Sequence, residues 1–343
     1  NGGHGDGSSV SAPLGLLTDA YAALPHGGEI VLCGKVSVPL NAEDTARNAF
    51  VEPPHDGKIT IRGKTRSATL LFDDVFEYYM SGETEFCNLT ISSGSRTSGL
   101  QIAARGHHLT MGDGLTMHST GSVPLGSGSE VGTKIYLYAG CANNVAYDGF
   151  TACSNHLTVK SGSYWVIGGF NRNLNVTTTG RSTLELGGNV RTAYLIAGSS
   201  GSSAFAMPAG IDIFIRGDIR ITKQLSLGNQ NADVDFFDTN LILQDGKLDF
   251  TGDFIDYNAR KRLTSLDIYV NDASAAAQAS YAAHFAGYGD REGTLRAYCE
   301  NERGGHDFAD GICTVCGKAE NVLNCTVHRF KSETEGTVVK KSC

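Results

Sequence analysis

Four residues near the C-terminal end carry the sharpest chemical signal: Cys299, His306, Cys313 and Cys316, spaced C-x6-H-x6-C-x2-C. Three thiolates and an imidazole can close a tetrahedral Zn²⁺ shell, and a C-x2-C pair is the usual start of such a site. Between Cys299 and Gly317 only Phe308, Ile312 and Val315 offer apolar side chains to bury, so bound metal is what would hold so small a piece folded. His306-Asp307-Phe308 returns as His328-Arg329-Phe330, with Cys325 before it and Cys343 after it, and a second, incomplete module is expected there. The chain stops where a C-x2-C pair would be completing, so further domains of a longer polypeptide are expected. Disulfide pairing among the same cysteines is the alternative. A closed site of this kind is structural and says little about activity.

Other residues invite chemistry more weakly. Asp233, Asp235 and Asp238 alternate with Val234 and Phe236, so on a strand the acids share the outward face, where oxygen ligands can hold Ca²⁺. The competing reading is a solvated face that keeps a sheet soluble. Arg105, His107 and His108 with Asp113 form a second group, in which an arginine beside a carboxylate can abstract a proton next to a uronate. His108 has a plainer reading, as a corner residue bonding the backbone. Asp73 and Asp74 with Tyr78 and Tyr79 read as a loop, since adjacent strand residues point to opposite faces. For sugar recognition the candidates are aromatic: Tyr136 and Tyr138 on one face of a strand, and Tyr164 and Trp165, of which one belongs to the core and the other can serve as a platform. The chain contains no G-x-S-x-G elbow, and its glycines precede strands, not helices, which removes the phosphate-cradling reading.

Composition narrows the class. Glycine stands at 43 of 343 residues, nearly double ordinary usage, and charged residues reach only 19%. That balance suits a β-rich extracellular chain with many tight corners. The net charge of −8 and the lack of a basic stripe argue against a nucleic-acid partner. No run of about 18 apolar residues is present, so no membrane-spanning segment is expected. Asn1-Gly2-Gly3 is not an initiation site, and a leader removed or never included is expected before it. Cys33, Cys87, Cys141 and Cys153 are scattered through apolar stretches, where a free thiol acts as a small hydrophobe.

The elements that must position these residues are short strands. Residues 1–29 read as a Gly-rich lead and a capping helix from Pro13 to Leu24. Residues 30–258 read as strand after strand, 259–298 as a strand-helix connector, 299–320 as the Cys/His zinc module and 321–343 as its incomplete repeat. Strands are expected at Lys58–Arg62, Ala68–Phe72, Gly99–Ala103, Lys134–Tyr138, Tyr164–Ile167, Ser182–Leu186, Ile211–Arg216, Asn240–Leu243 and Leu266–Val270. A pattern recurs at Asn88–Ile91, His108–Met111, His156–Val159 and Asn173–Val176, at offsets of 20, 48 and 17 positions. The middle offset suggests two turns of a coil of some two dozen residues. The expected fold is therefore all-β, a right-handed parallel β-helix of about ten coils with an N-terminal capping helix and a small C-terminal Cys/His metal module. An antiparallel sandwich would need more Asn-Gly or Asp-Gly hairpins than this chain supplies.

Ala20–Gly34 with Lys35–Pro39 resembles the entry to pectate-lyase-like β-helices in large secreted proteins of anaerobic bacteria, as does Leu157–Gly169. Gly304–Gly317 is similar to small Cys/His modules repeated in such proteins. The resemblance implies a secreted or cell-surface setting, and the fold hosts lyases, hydrolases, adhesins and spacers alike. The first expectation is a non-catalytic rod, adhesive or carbohydrate-contacting, with a polysaccharide or glycan as partner. A polysaccharide lyase or glycoside hydrolase on the same scaffold, and a filament subunit, are the alternatives.

Overall fold

The computed structural model describes residues 3–40, 48–93, 99–119, 134–140, 156–170, 180–199 and 209–226, with the shorter segments 176–177, 205–206, 238–243, 247–250, 253–255, 265–270, 294–297, 308–313, 331–335 and 338–342. Through them the chain winds as a parallel β-solenoid, almost without helix. The longest ladder stacks ten strands in chain order: Gly28–Leu32, Ile59–Gly63, Thr84–Cys87, His108–Met111, His156–Phe170, Ser182–Ser199, Ile211–Ser226, Asp238–Leu243, Ser265–Val270 and Thr294–Ala297. Neighbours along it are parallel throughout. At the usual strand separation, ten strands rise about 43 Å. A second ladder stacks Lys35–Ser37, Thr69–Phe72, Thr90–Ser93 and Thr116–Ser119. A third stacks Ala49–Val51, Glu77–Tyr79, Leu100–Ala103 and Ile135–Tyr138, then continues onto the later halves of His156–Phe170 and Ser182–Ser199.

Alternation explains the stacking. Ile30, Ile61, Phe86, Met111, Val159, Leu186, Ile215 and Leu243 are register partners along the long ladder, and all are buried. Each such side chain contributes about 1.5–3 kcal/mol when removed from water, but a lone coil has no neighbour to cover it. Stability therefore comes from the column. Glycine enters where coils approach most closely: Gly188 has φ +59°, and a Cβ there would sit 2.1 Å from the Lys160 carbonyl oxygen. Its register partner Gly217 faces the Gly188 carbonyl as closely.

The helix at the N-terminal end is shorter than the sequence suggests, Leu17–Ala22 in place of Pro13–Leu24. Leu16 is extended and offers no capping side chain, so packing holds this single turn and a half. Leu17 and Tyr21 are buried in the core, and the helix covers the first coil as a cap.

The recurring four-residue pattern has a different meaning from the one its spacing suggests. His108–Met111 and His156–Val159 pair residue for residue, so their 48 positions make one turn of the solenoid, not two. Neighbouring turns take 25 positions (Thr84 to Leu109) and 27 (Leu157 to Leu184), and the turn between holds extra chain. Asn88 does not start a rung of that ladder. It stands at a corner with φ +49° and Nδ2 donating to the Gly63 carbonyl at 3.1 Å, and the following Thr90 joins the second ladder. Of Asn173–Val176 only Val176 is described, pairing with Phe205 in a separate two-stranded sheet. No helix among the described residues is long and apolar enough to cross a membrane.

Candidate functional site

The third ladder carries two faces. In Ile135–Tyr138, Ile135 and Leu137 point into the core, which turns Tyr136 and Tyr138 outward. Their rings stack at 6.4 Å between centroids with 24° between planes. The next coil places Val166 opposite Tyr136, and the one after places Tyr194 opposite Val166. Trp165, just before Val166, packs against Tyr194 at 5.8 Å. These residues form a second apolar cluster outside the core, with Tyr138, Val166 and Ile196 buried and Tyr136, Trp165 and Tyr194 partly exposed. Lys223 lies over it, its Nζ 4.6 Å from the Trp165 ring centroid and 5.9 Å from that of Tyr194. An aromatic patch topped by an ammonium can take flat apolar faces and polar rims together.

Of the four aromatic residues singled out from sequence, Tyr136, Tyr138 and Trp165 meet on this patch, and Tyr164 does not. Tyr164 points inward and is fully buried, its hydroxyl donating to the Ser161 carbonyl at 2.7 Å, and burial pushes its phenol well above the ordinary value. Tyr164 and Ile167 face the core, and Trp165 and Val166 between them both join the outer cluster, so strict alternation is broken at this point of the strand. Tyr138, though outward, is covered. Tyr194 and Lys223 had no sequence signal, because their proximity to Trp165 depends on the register of two further coils.

The Arg105, His107 and Asp113 group separates. Arg105 and His107 share the corner before His108–Met111, where burial, then the Arg105 charge, lower the His107 pKa. Asp113 follows the far end of that strand, at the corner with the second ladder, where its carbonyl accepts from the Asn88 amide. A four-residue strand spans about 13 Å, too far for one catalytic group. His108 bonds no backbone corner: its Nε2 lies 3.0 Å from Thr158 Oγ1, one coil along. Asp73 and Asp74 are exposed beyond the strand Thr69–Phe72, while Tyr78 and Tyr79 are buried.

The most elaborate polar cluster lies at the capped end. Glu52 is buried, yet its carboxylate meets Tyr21 Oη at 2.7 Å, Tyr78 Oη at 2.6 Å, Thr84 Oγ1 at 3.1 Å, the Ser81 amide at 3.1 Å and His55 Nε2 at 3.2 Å. Thr84 fills an inward rung position between Ile59 and Leu109, the polar break that receives the carboxylate. His55 Nδ1 faces the Gly57 carbonyl at 2.7 Å, so both ring nitrogens meet acceptors, an arrangement that favours the protonated ring. The Glu52 hydrogen bond is the chief cause of its raised pKa. Burial raises both phenols well above their ordinary values, which keeps them as donors. Every group is satisfied and enclosed, so this cluster locks the cap.

The candidate calcium acids Asp233 and Asp235 lie outside the described residues, as does the side chain of Asp238, which opens the strand Asp238–Leu243. Cys299, His306, Cys316, Cys325, His328 and Cys343 also lie outside them. Cys313 ends a two-stranded antiparallel hairpin, Phe308–Ala309 with Ile312–Cys313, turned by Asp310 and Gly311 at φ +53° and +75°. Cys33 and Cys87 are free thiols, and Cys33 is exposed, not core. No protein-family model, no curated protein and no solved structure matches this chain.

Proposed function

We propose that this chain is an extracellular, non-catalytic segment of a bacterial surface protein, a rod that contacts carbohydrate through the outer aromatic face of its third ladder. The observation that carries the reading is the meeting of Tyr136, Trp165 and Tyr194, partly exposed, on three successive coils. Aromatic faces take the apolar C–H faces of pyranose rings, and a stiff solenoid fixes their spacing before the ligand arrives. Zinc held by Cys299, His306, Cys313 and Cys316 would make the C-terminal module a rigid connector. The tight hairpin ending at Cys313 supports that reading.

Binding of the intact chain to an immobilised panel of plant, host and bacterial glycans tests the function, beside Trp165→Ala. Retention of at least one glycan, lost in the variant, is the expected result. Retention of none, or unchanged retention by the variant, would remove the carbohydrate role. Unsaturated uronate products from any polysaccharide would overturn the non-catalytic one.

A further inference from the structure

We infer that the corner built by Trp165, Tyr194 and Lys223 is an anion subsite, selecting a polysaccharide that carries carboxylate or sulfate groups. The inference rests on the carbohydrate reading above and narrows it to a chemical class.

The Lys223 ammonium sits on the aromatic cluster, 4.6 Å from the centre of the indole. The ring's negative face holds the cation there, while the three ammonium protons cannot all point at one ring. A neutral sugar stacking on that face must displace the lysine and forfeit the cation–π contact. An acidic sugar pairs with the ammonium and leaves the contact in place. Two further cations stand near this corner. Ser163, Arg191 and Arg220 are register partners on three successive coils, two positions before Trp165 on the first of them. Arg191 is exposed, and Arg220 and Lys223 are half-buried. Asp218, two residues before Arg220 and exposed, and Asp249, the register partner of Arg220 on the next coil, offset part of this charge, and Glu185 on the long ladder pairs with Arg216 at 3.5 Å. Three cations therefore gather on two coils of a chain whose net charge is −8. A local group of cations on an acidic chain can steer a polyanion to such a corner.

The test is isothermal titration of the intact chain with dextran, dextran sulfate and hyaluronan, which separate the neutral, sulfated and carboxylated cases. Wild type is expected to bind one of the anionic chains at least tenfold tighter than dextran, with affinity falling as salt rises. Lys223→Gln is expected to weaken that binding by up to about fivefold, the range of one partly exposed ion pair. Lys223→Arg restores it, at an unchanged melting temperature in both variants. Equal binding of dextran and the anionic chains, or a Lys223→Gln affinity equal to wild type, overturns the inference and leaves the carbohydrate role standing. Binding of none of the three, together with an empty glycan panel, removes both.

Discussion

The Tyr21 and Tyr78 hydroxyls meet at 2.5 Å, 57 residues apart in sequence, and both converge on Glu52 Oε1. Tyr21 belongs to the capping helix and Tyr78 to the second coil, so one carboxylate joins cap to rod. Tyr21→Phe keeps the ring and removes one donor, at a cost of about 1 kcal/mol. Glu52→Ala leaves His55 without its counter-charge and one of the two phenols without an acceptor, at a cost of about 3–5 kcal/mol. Urea unfolding measures both. Equal stability of Glu52→Ala and wild type would show that the network holds nothing.

Two histidines near this end respond to pH in opposite senses. His55 has a raised pKa, so its contribution is full below the unfolded value of about 6.5 and is lost as pH climbs through the folded one. His107 has a lowered pKa, so its contribution is present above about 6.5 and is lost as pH falls toward the folded value. His55→Gln is expected to flatten the alkaline limb of stability against pH, and His107→Gln the acidic limb. Urea midpoints across that range decide the matter. Parallel curves for both variants and wild type would contradict the assignment.

Gly82 lies against the His55 ring, where a Cβ would come 2.3 Å from Cε1. Gly82→Ala forces the imidazole from its two acceptors, and a loss of about 1–3 kcal/mol is expected. Gly188→Val is worse placed, since the backbone is left-handed and the Lys160 carbonyl blocks the side chain. Soluble yield and melting temperature below wild type would bear this out; a Gly188→Val chain as stable as wild type would mean that coils are further apart there than described.

How much of this was legible in the sequence depended on the range of the contact involved. Alternation located strands such as Ile59–Gly63, expected at Lys58–Arg62, because a buried ladder imposes a period of two on a rung, whereas of Ile211–Ser226 only the first part, Ile211–Arg216, is expected. It also separated core Tyr164 from outer Trp165 as a pair, without saying which was which. Turn length was misread at His108 and His156, since motif spacing cannot distinguish two turns from one turn carrying extra chain. The Glu52 cluster left no trace in the sequence, as its donors come from positions 21, 55, 78, 81 and 84 and no local period links them.

The zinc proposal has its own assay. Metal analysis of the purified chain is expected to find about one zinc for the set Cys299, His306, Cys313 and Cys316, removed by chelator and absent in Cys316→Ser. Zinc content unaffected by Cys316→Ser would place the metal elsewhere.

Trp165 is the single tryptophan of the chain, so its fluorescence reports on the outer aromatic face alone. Titration with the glycan retained on the panel is the most direct test of a carbohydrate-contacting solenoid face. A saturable change in Trp165 emission, with protection from iodide quenching and loss of both in Tyr194→Ala, is the predicted result. Bound glycan with emission and quenching unaltered would contradict it, because the ligand would then rest on some other surface of the rod.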